Sequence, residues 1–353
     1  MNTFGRYFRL TTFGESHGIA IGGVIDGCPA GISLDMDLIV STLQRRRSTG
    51  GVSTDRIEED QPEFLSGLVD GITTGAPIAF VIANKERKSG DYDHLSEVYR
   101  PSHADYTYQA KYGIRDHKGG GRASARETAV RVVAGAIAMQ ILHAQGVEIT
   151  AYTSQLGNVK LPGGYLLEIS RGDSKVGCPI AKIDCLMYEA LLEARQSGDT
   201  LGGIASVVVT GVPSGWGSPL YGKLDARLAE AMLGINACKG FEMGDGFALS
   251  AMRGSVANDP FIIRNGQPEM ATNHSGGVLG GISSGAPLLF RVAFKPIASI
   301  ALPQQTIDSN GASQTLTIQG RHDGSVFPRV LPIIEAMTAL VLADEMLGHR
   351  LVR

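Results

Sequence analysis

The sequence lacks long hydrophobic runs and any strong excess of one charge. None of its apolar runs approaches the roughly 20 residues that a membrane-spanning helix needs. Residues 1–6 lack the basic stretch followed by an apolar stretch that marks a secretory signal. The formal net charge is −3, and the basic stripe that nucleic-acid binding favours is missing. We therefore expect a cytoplasmic protein without membrane or nucleic-acid partners.

Familiar nucleotide and metal motifs are also missing. The sequence contains no P-loop motif, and no G-x-G-x-x-G connects a strand to a helix, which argues against the common nucleotide and dinucleotide folds. The four cysteines form no C-x-x-C pair and have no histidine at a spacing typical of zinc sites. We expect no metal site, and reduced thiols that are mostly buried.

Helix and strand signals alternate along the chain, which predicts the α/β or α+β class. Ser124 and Glu127 have the spacing of a capping box, and Gly146 and Gly348 stand where helices are expected to end. Apolar periodicity predicts helices at 124–145, 184–197, 223–234 and 331–347, and strands at 78–83, 204–210 and 288–294.

Two short patterns occur twice, in the same order. A G-x-P-x-G element at 27–31 recurs at 211–215, and a G-I-x-x-G-A-P element at 71–77 recurs at 281–287. Both copies of the second element precede a predicted strand. The repetition predicts two similar halves related by a pseudo-twofold axis within one domain of residues 1–353. Coincidence in a chain with 46 glycines is the alternative.

Two loops place histidines beside groups suited to binding and proton transfer. His17 lies between Gly14 and Gly18, where close approach to a ligand is easy, and an imidazole can donate protons near neutral pH. The segment 100–108 holds Arg100, His103 and an aspartate, the residue types of an anion and proton-transfer site. An ordinary turn histidine and a plain polar loop are the alternatives.

Arginines and glycines provide the anion-binding signals. Arg45, Arg46 and Arg47 can bind carboxylate or phosphate through two hydrogen bonds, although adjacent arginines are also common on solvated surfaces. The triple glycine 119–121 runs into a predicted helix, whose first-turn N–H groups favour anions. The glycines could instead serve only to turn the chain. From the residues alone we predict an enzyme that acts on a small polyanionic substrate.

Taken together, these segments resemble the chorismate synthase family along nearly the whole chain. Nine motifs occur in the family's order: F-G-E-S-H-G, R-R-R, R-P-x-H-A-D-Y-T, G-G-G-R-x-S-A-R-E-T, I-N-A-x-K-G, G-D-G-F, N-H-x-G-G-x-L-G-G-I-S-S-G, K-P-x-x-S and G-R-H-D. They start at Phe13, Arg45, Arg100, Gly119, Ile235, Gly244, Asn273, Lys295 and Gly320.

The resemblance implies a fold, a reaction and cofactors. It implies a β-α-β sandwich with helices between the sheets, assembled as a homotetramer. It also implies a 1,4-anti elimination of phosphate from 5-enolpyruvylshikimate 3-phosphate, which gives chorismate and requires reduced FMN, with NADPH as a candidate reductant. A flavin- or anion-binding protein without lyase activity and an NADPH-dependent flavin reductase are the alternative functions.

The resemblance also implies roles for individual residues. His17 would protonate the departing phosphate, His103 would protonate or hydrogen-bond the flavin, and Asp323 would assist proton removal. Arg46, Arg100 and Arg126 would bind the substrate's anionic groups, with an NADPH contact near the arginine triplet. The implied flavin contacts are Arg122, Ala123, Ser124, Asn236, Ala237, Gly280, Lys295, Pro296, Ile297, Ala298, Ser299 and Arg321, and the last of these could bind substrate instead.

The chain departs from the family pattern at three places, none of them at an implied catalytic side chain. Val52 stands where a second basic residue usually follows the arginine triplet, and Arg56 is the nearest substitute. Ser102 replaces a usual glycine, and residues 324–325 read Gly-Ser where Pro-Cys is usual.

Overall fold

The computed structural model describes residues 1–47, 60–85, 96–117, 119–169, 174–318 and 323–352. Val52, Arg56 and Arg321, which the sequence analysis singled out, lie outside these ranges. Among the described helices, none has both the length and the hydrophobicity that crossing a bilayer requires.

The helices include all four that the sequence predicts. They are α1 (Met36–Arg45), α2 (Asp105–Tyr112), α3 (Thr128–His143), α4 (Ala181–Gln196), α5 (Leu224–Leu233), α6 (Gly254–Ala257) and α7 (Leu331–Arg350).

Two predicted helix boundaries are wrong, each for a tertiary reason. The capping box does not form, because the Glu127 carboxylate accepts from Thr12 and Arg131 instead. Two short 3₁₀ turns therefore precede α3. Helix α7 continues through Gly348, where a side-chain carbon would lie 2.7 Å from the Tyr7 ring. This glycine makes room for packing and does not end the helix.

The strands include the three that the sequence predicts. They are β1 (Thr3–Phe4), β2 (Arg9–Gly14), β3 (Ala20–Asp26), β4 (Glu63–Phe64), β5 (Leu68–Val69), β6 (Ile72–Thr73), β7 (Ile78–Ala83), β8 (Glu148–Leu156), β9 (Val159–Lys160), β10 (Gly203–Thr210), β11 (Cys238–Met243), β12 (Phe261–Arg264), β13 (Gln267–Met270), β14 (Val278–Leu279), β15 (Ile282–Ser283), β16 (Leu288–Phe294), β17 (Gln304–Ile307) and β18 (Ser313–Leu316).

Two five-stranded antiparallel sheets enclose the buried helices. The first has the order β1-β2-β3-β7-β4, and the second has the order β11-β16-β10-β8-β9. Helix α3 contacts β2 and β3 of the first sheet and β8 of the second, and it packs closely on α7. Gly135 of α3 permits this approach, because a side-chain carbon there would lie 2.3 Å from Cβ of Ala336. The β-α-β sandwich that the resemblance implied is therefore confirmed.

The two halves repeat the same local architecture. Strands β2-β3-β7-β4 of one sheet correspond in order to β8-β10-β16-β11 of the other. The repeated motifs also make matching contacts: the Thr73 hydroxyl donates to Pro29 O at 2.7 Å, and the Ser283 hydroxyl donates to Pro213 O at 2.6 Å. The repeated sequence elements therefore reflect repeated structure, and coincidence is not their explanation.

Candidate active site

The turn between β2 and β3 presents His17. The Ser16 hydroxyl lies 3.1 Å from His17 Nδ1 and donates to Gly119 O at 3.1 Å. Gly119 has φ +72°, and a side-chain carbon there would lie 2.0 Å from the His17 ring. The triple glycine therefore does more than turn the chain, since it lets the backbone pack directly against the imidazole.

Asn84 follows β7 and holds this turn at both ends. Its Nδ2 donates to Glu15 O and to Gly18 O, each at 3.0 Å, and its Oδ1 accepts from Arg126 Nε at 3.0 Å. The residue is 6% exposed. Its amide therefore links the His17 turn to an arginine that the resemblance assigned to the substrate.

Arg126 and Arg46 share one buried carboxylate. Arg126 Nη1 lies 2.6 Å from Asp60 Oδ1, and Arg46 Nη2 lies 3.3 Å from Asp60 Oδ2. Arg46 and Asp60 are almost fully buried, at 3% and 2% exposure. Two guanidinium groups thus converge on one carboxylate, and guanidinium groups are suited to bind carboxylate and phosphate oxygens.

Arg100 is engaged within its own loop. Its Nε and Nη2 both lie 2.8 Å from the Asp105 carboxylate, and Arg115 Nη1 lies 3.4 Å from the same group. Burial disfavours the ionised carboxyl, but hydrogen bonds and charge from Arg100, with the charge of Arg115, hold the pKa of Asp105 below its ordinary value. The ion pair fixes the loop that carries His103.

His103 lies between two hydrogen-bond partners. Its Nδ1 is 2.9 Å from Pro101 O and its Nε2 is 3.1 Å from the Ser299 hydroxyl. Because a carbonyl can only accept, Nδ1 carries a proton and Nε2 of the neutral ring accepts from Ser299. Burial, then the positive charge of Arg100, lower the pKa of His103. The imidazole is therefore neutral at pH 7.

Ser102 occupies the position where a glycine is usual in the family. It has φ +58°, in the left-handed region that glycine adopts without strain. Its carbonyl accepts from Lys295 Nζ at 3.1 Å. The usual glycine thus has a conformational explanation, and serine keeps the backbone geometry.

The three segments that the resemblance assigned to the flavin lie next to one another. Asn236 Nδ2 donates to Ala123 O at 2.8 Å, and Lys295 N donates to Ala237 O at 3.0 Å. Residues 122–124, 236–237 and 295–299 therefore form one continuous surface, although 170 residues separate the first segment from the last.

Arg122 points back toward the first sheet. Its Nη2 donates to the Thr12 hydroxyl at 2.7 Å and its Nη1 to Gly14 O at 3.2 Å. These contacts tie the 3₁₀ turn at 121–123 to β2. Ser124 accepts from Arg126 N at 3.4 Å, so its hydroxyl caps the turn that follows.

Asp323 forms an ion pair with Arg329. Arg329 Nε donates to Arg46 O at 3.0 Å, which joins Asp323 to the arginine pair. Gly324 O accepts from Leu201 N at 2.9 Å. At the Gly324-Ser325 departure the backbone thus contacts the segment that precedes β10.

Gly280 is not brought to the other assigned residues. It lies in the β14–β15 turn, and its neighbour Gly281 accepts from Leu224 N at the start of α5. Asn236 follows the other end of this 10-residue helix, so a helix length of about 15 Å separates them.

Hydrogen bonds, ion pairs and the short chain segments between them connect the assigned segments in one closed series of contacts, which we call the circuit. Its links, in order, are Ser16–Gly119, Ala123–Asn236, Ala237–Lys295, Lys295–Ser102, His103–Ser299, Ile297–Thr200, Leu201–Gly324, Asp323–Arg329, Arg329–Arg46, Arg46–Asp60, Asp60–Arg126, Arg126–Asn84 and Asn84–Glu15.

Comparison with known proteins shows which family this chain is similar to. A family model described as Chorismate synthase matches residues 8–347. The chorismate synthase of Porphyromonas gingivalis is 55% identical, with 99% of this chain and 96% of the relative covered. That of Bacteroides fragilis is 51% identical, with 99% of each covered. A solved structure, "Crystal Structure of Chorismate Synthase", matches with a TM-score of 0.77 at 30% identity, covering 98% of this chain and 93% of that one.

The chain belongs to the chorismate synthase family. The protein is accordingly a lyase that eliminates phosphate from 5-enolpyruvylshikimate 3-phosphate to give chorismate, in the biosynthesis of aromatic compounds. Chorismate synthases depend on a reduced flavin.

The surface formed by 122–124, 236–237 and 295–299 fits such a flavin. A side-chain carbon at Gly120 would meet no atom closer than 4.0 Å, so the glycine turn faces open space beside this surface. Lys295 supplies a positive charge, and His103 Nε2 lies at the edge of this surface, hydrogen-bonded to the Ser299 hydroxyl. An anionic group matches the charge of Lys295.

Among the charged and amide side chains of the circuit, sequence reasoning missed three: Asp60, Asn84 and Arg329. Asn84 could have been suspected, because a polar residue directly after a predicted strand stands where sites often lie. Asp60 and Arg329 carried no local signal, since only the fold brings them to Arg46.

Proposed function

We propose that the protein catalyses the 1,4-anti elimination with reduced FMN, as the last step of the shikimate pathway. The observation that carries this proposal is the shared Asp60 between Arg46 and Arg126, one hydrogen-bonded residue away from the His17 turn. This arrangement pairs an anion-binding group with a proton donor, as loss of phosphate requires.

The substrate's two carboxylates and phosphate would bind the arginine side chains of the site. Arg46 and Arg126 would contact these groups directly, since guanidinium groups bind carboxylate and phosphate oxygens and these two converge at Asp60. Arg100 would contribute its charge and the position of its loop, because two of its nitrogens already bind Asp105.

His17 would donate a proton to the phosphate as its C–O bond breaks. Its ring is held by Ser16 and packed on Gly119, so it has a fixed direction. A fixed donor is worth more in the transition state than a mobile one, because no reorganisation is needed during the reaction.

Bound FMN would supply an electron-rich ring that assists departure of the phosphate and receives the C6 hydrogen. Arg122, Ala123, Ser124, Asn236, Ala237, Lys295, Pro296, Ile297, Ala298 and Ser299 would hold it. His103 would hydrogen-bond the ring by exchanging the Ser299 hydroxyl for a flavin atom at Nε2, since Nδ1 already donates to Pro101 O, and Asp323 would accept a proton. Arg321 would hold the flavin or the substrate.

Four further proposals rest on the family resemblance. The protein acts in the cytoplasm as a homotetramer, its residues 1–353 form a single domain, and NADPH serves as a reductant for the flavin. A tetramer would also give Gly280, which lies apart within one chain, a surface on which to contact a neighbouring protomer's flavin.

The decisive test is anaerobic phosphate release from 5-enolpyruvylshikimate 3-phosphate, with FMN reduced by dithionite. We expect release with reduced FMN and none with oxidised FMN. Absence of release despite spectroscopic evidence of FMN binding would overturn the lyase proposal in favour of a binding protein. Replacing dithionite with NADPH tests the reductant separately, and sedimentation velocity tests the tetramer.

A further inference from the structure

Asn84 connects the two parts of the site that the proposed function needs, the proton donor and the anion-binding arginines. Its backbone N–H donates to Ile19 O at 3.0 Å, just beyond the paired ends of β3 and β7. The main chain at Asn84 is thus fixed by the sheet. Only the side chain reaches the His17 turn and Arg126.

The orientation of the Asn84 amide is determined by chemistry. Arg126 Nε can only donate, so the amide oxygen must face it. Both amide hydrogens then point at Glu15 O and Gly18 O, which can only accept. These two carbonyls lie on either side of His17, so one side chain holds both ends of the turn.

No other common side chain satisfies these three partners from this position. Ionised aspartate has no donors, serine and threonine have one, and glutamine is one methylene longer. The arrangement is also buried, where an unsatisfied carbonyl or guanidinium is costly. The contacts therefore depend on asparagine specifically.

We propose that Asn84 is a positioning residue that fixes the His17 imidazole relative to the anion bound by Arg126 and Arg46. This inference rests on the proposed function. Asn84 itself does not touch the reacting atoms. It acts through Glu15 and Gly18 on one side and through Arg126 on the other.

The two functions of the amide can be separated by substitution. In Asn84→Asp the carboxylate keeps an acceptor for Arg126 but faces two carbonyls, so the His17 turn loses both bonds. In Asn84→Ala both connections are lost. We expect Asn84→Asp to lower kcat by about 10²-fold, the scale of a small misplacement of a catalytic group, and to raise KM, because its carboxylate adds a negative charge beside Arg126. Asn84→Ala should lower kcat similarly with a smaller rise in KM, because it adds no charge and leaves the ion pairs of Arg126 and Arg46 with Asp60.

Thr73→Val provides a matched control for the loss of buried hydrogen bonds. Thr73 is 2% exposed, and its hydroxyl accepts from Ile32 N at 2.9 Å and donates to Pro29 O at 2.7 Å, outside the circuit. This variant should lose stability but keep kcat within about twofold of wild type, because no step of the reaction uses it.

The experiment combines anaerobic turnover with calorimetric titration of substrate into enzyme that holds oxidised FMN, where no turnover occurs. We expect weaker substrate affinity in Asn84→Asp than in Asn84→Ala, because only the aspartate adds a negative charge beside Arg126. A kcat for Asn84→Asp that matches Thr73→Val, or equal loss of affinity in both Asn84 variants, overturns the inference. Absence of phosphate release from the wild-type enzyme overturns the proposed function itself, and this inference with it.

Discussion

Strands β7 and β16 end at equivalent positions in the two halves, but the side chains at these positions make different contacts. Asn84 stands seven positions after Pro77 of the first repeated motif, and Phe294 stands seven after Pro287 of the second. Asn84 makes three polar contacts around the His17 turn. Phe294 is buried and packs edge-on against Phe327 with ring centroids 5.8 Å apart.

The difference indicates how one repeated architecture supports two tasks. The first half ends its strand in a polar side chain that contacts the His17 turn and Arg126, the groups proposed for proton transfer and anion binding. The second half ends its strand in an apolar support, from which residues 295–299 extend toward His103. Duplicated backbone thus provides two matching positions, and the side chain at each decides what is bound there.

The largest effect should come from His17→Ala, which removes the proposed proton donor of the first half. We expect it to fold, to bind FMN and to lose about 10²–10⁴-fold in kcat, the usual worth of a general acid. Anaerobic phosphate release measures turnover, and flavin fluorescence measures binding. His143→Ala, on the exposed surface, is the matched control. Near wild-type turnover of His17→Ala would exclude the assigned role.

Much of this fold could be predicted from the sequence. The long helices and the central strands follow from periodicity, and the repeated motifs predicted the paired halves. Boundaries failed where tertiary contacts decide them, as at Glu127, which bonds Thr12 and Arg131. Local pattern cannot report a partner that is far away in the chain.

The candidate site was predicted through motifs, and its physical connections were not. The resemblance supplied His17, His103 and the flavin segments, but gave no sign that Asn84 and Asp60 hold them. Both residues matter only because sheet geometry brings residues 15–18, 60 and 126 together. Such long-range convergence requires a structure.

A second test concerns a buried carboxylate that joins the two halves but lies outside the circuit, so it should affect stability and not turnover. Asp344 of α7, 1% exposed, accepts from the backbone N–H groups of residues 6–8 and from Arg227 of α5. Asp344→Ala leaves three backbone donors unsatisfied and removes the shortest ion pair of Arg227, which keeps longer ones to Glu345 and Glu230, so it should cost about 3–5 kcal/mol of unfolding free energy.

Urea unfolding measures this loss, and Asp26→Ala is the control. Asp26 forms an exposed ion pair with Arg9, whose loss should cost no more than about 1 kcal/mol. The folded Asp344→Ala enzyme should keep its kcat, because Asp344 lies outside the circuit. Equal losses of stability in both variants would show that this carboxylate does not join the halves.

A third test disturbs the first-half site without changing any polar group. Gly119→Ala would place a carbon 2.0 Å from the His17 ring, so the imidazole must move. We expect a loss of about tenfold or more in kcat, since small displacements of catalytic groups are costly. Gly113→Ala is the control. Gly113 has a similar φ of +71°, but an added side-chain carbon would meet no atom within 4 Å, so alanine there introduces backbone strain without a steric clash. Equal activity of the two variants would contradict the packing explanation.

The smallest expected effect is on the pH dependence of the unfolding free energy, through His103 next to residues 295–299 of the second half. Burial and the charge of Arg100 lower the pKa of His103 in the folded protein from its ordinary value of 6.5. As pH falls through 6.5 the unfolded chain therefore binds a proton at this position before the folded protein does, so stability decreases. The contribution is fully present above pH 6.5 and is lost toward the lower folded-state pKa. His103→Gln should thus show a shallower loss of unfolding free energy between pH 7.5 and 5.5 than wild type. Urea unfolding at both pH values measures this difference. The other histidines are common to both proteins, so they contribute equally to the two pH curves. Parallel curves would therefore mean that His103 is not held neutral by its surroundings.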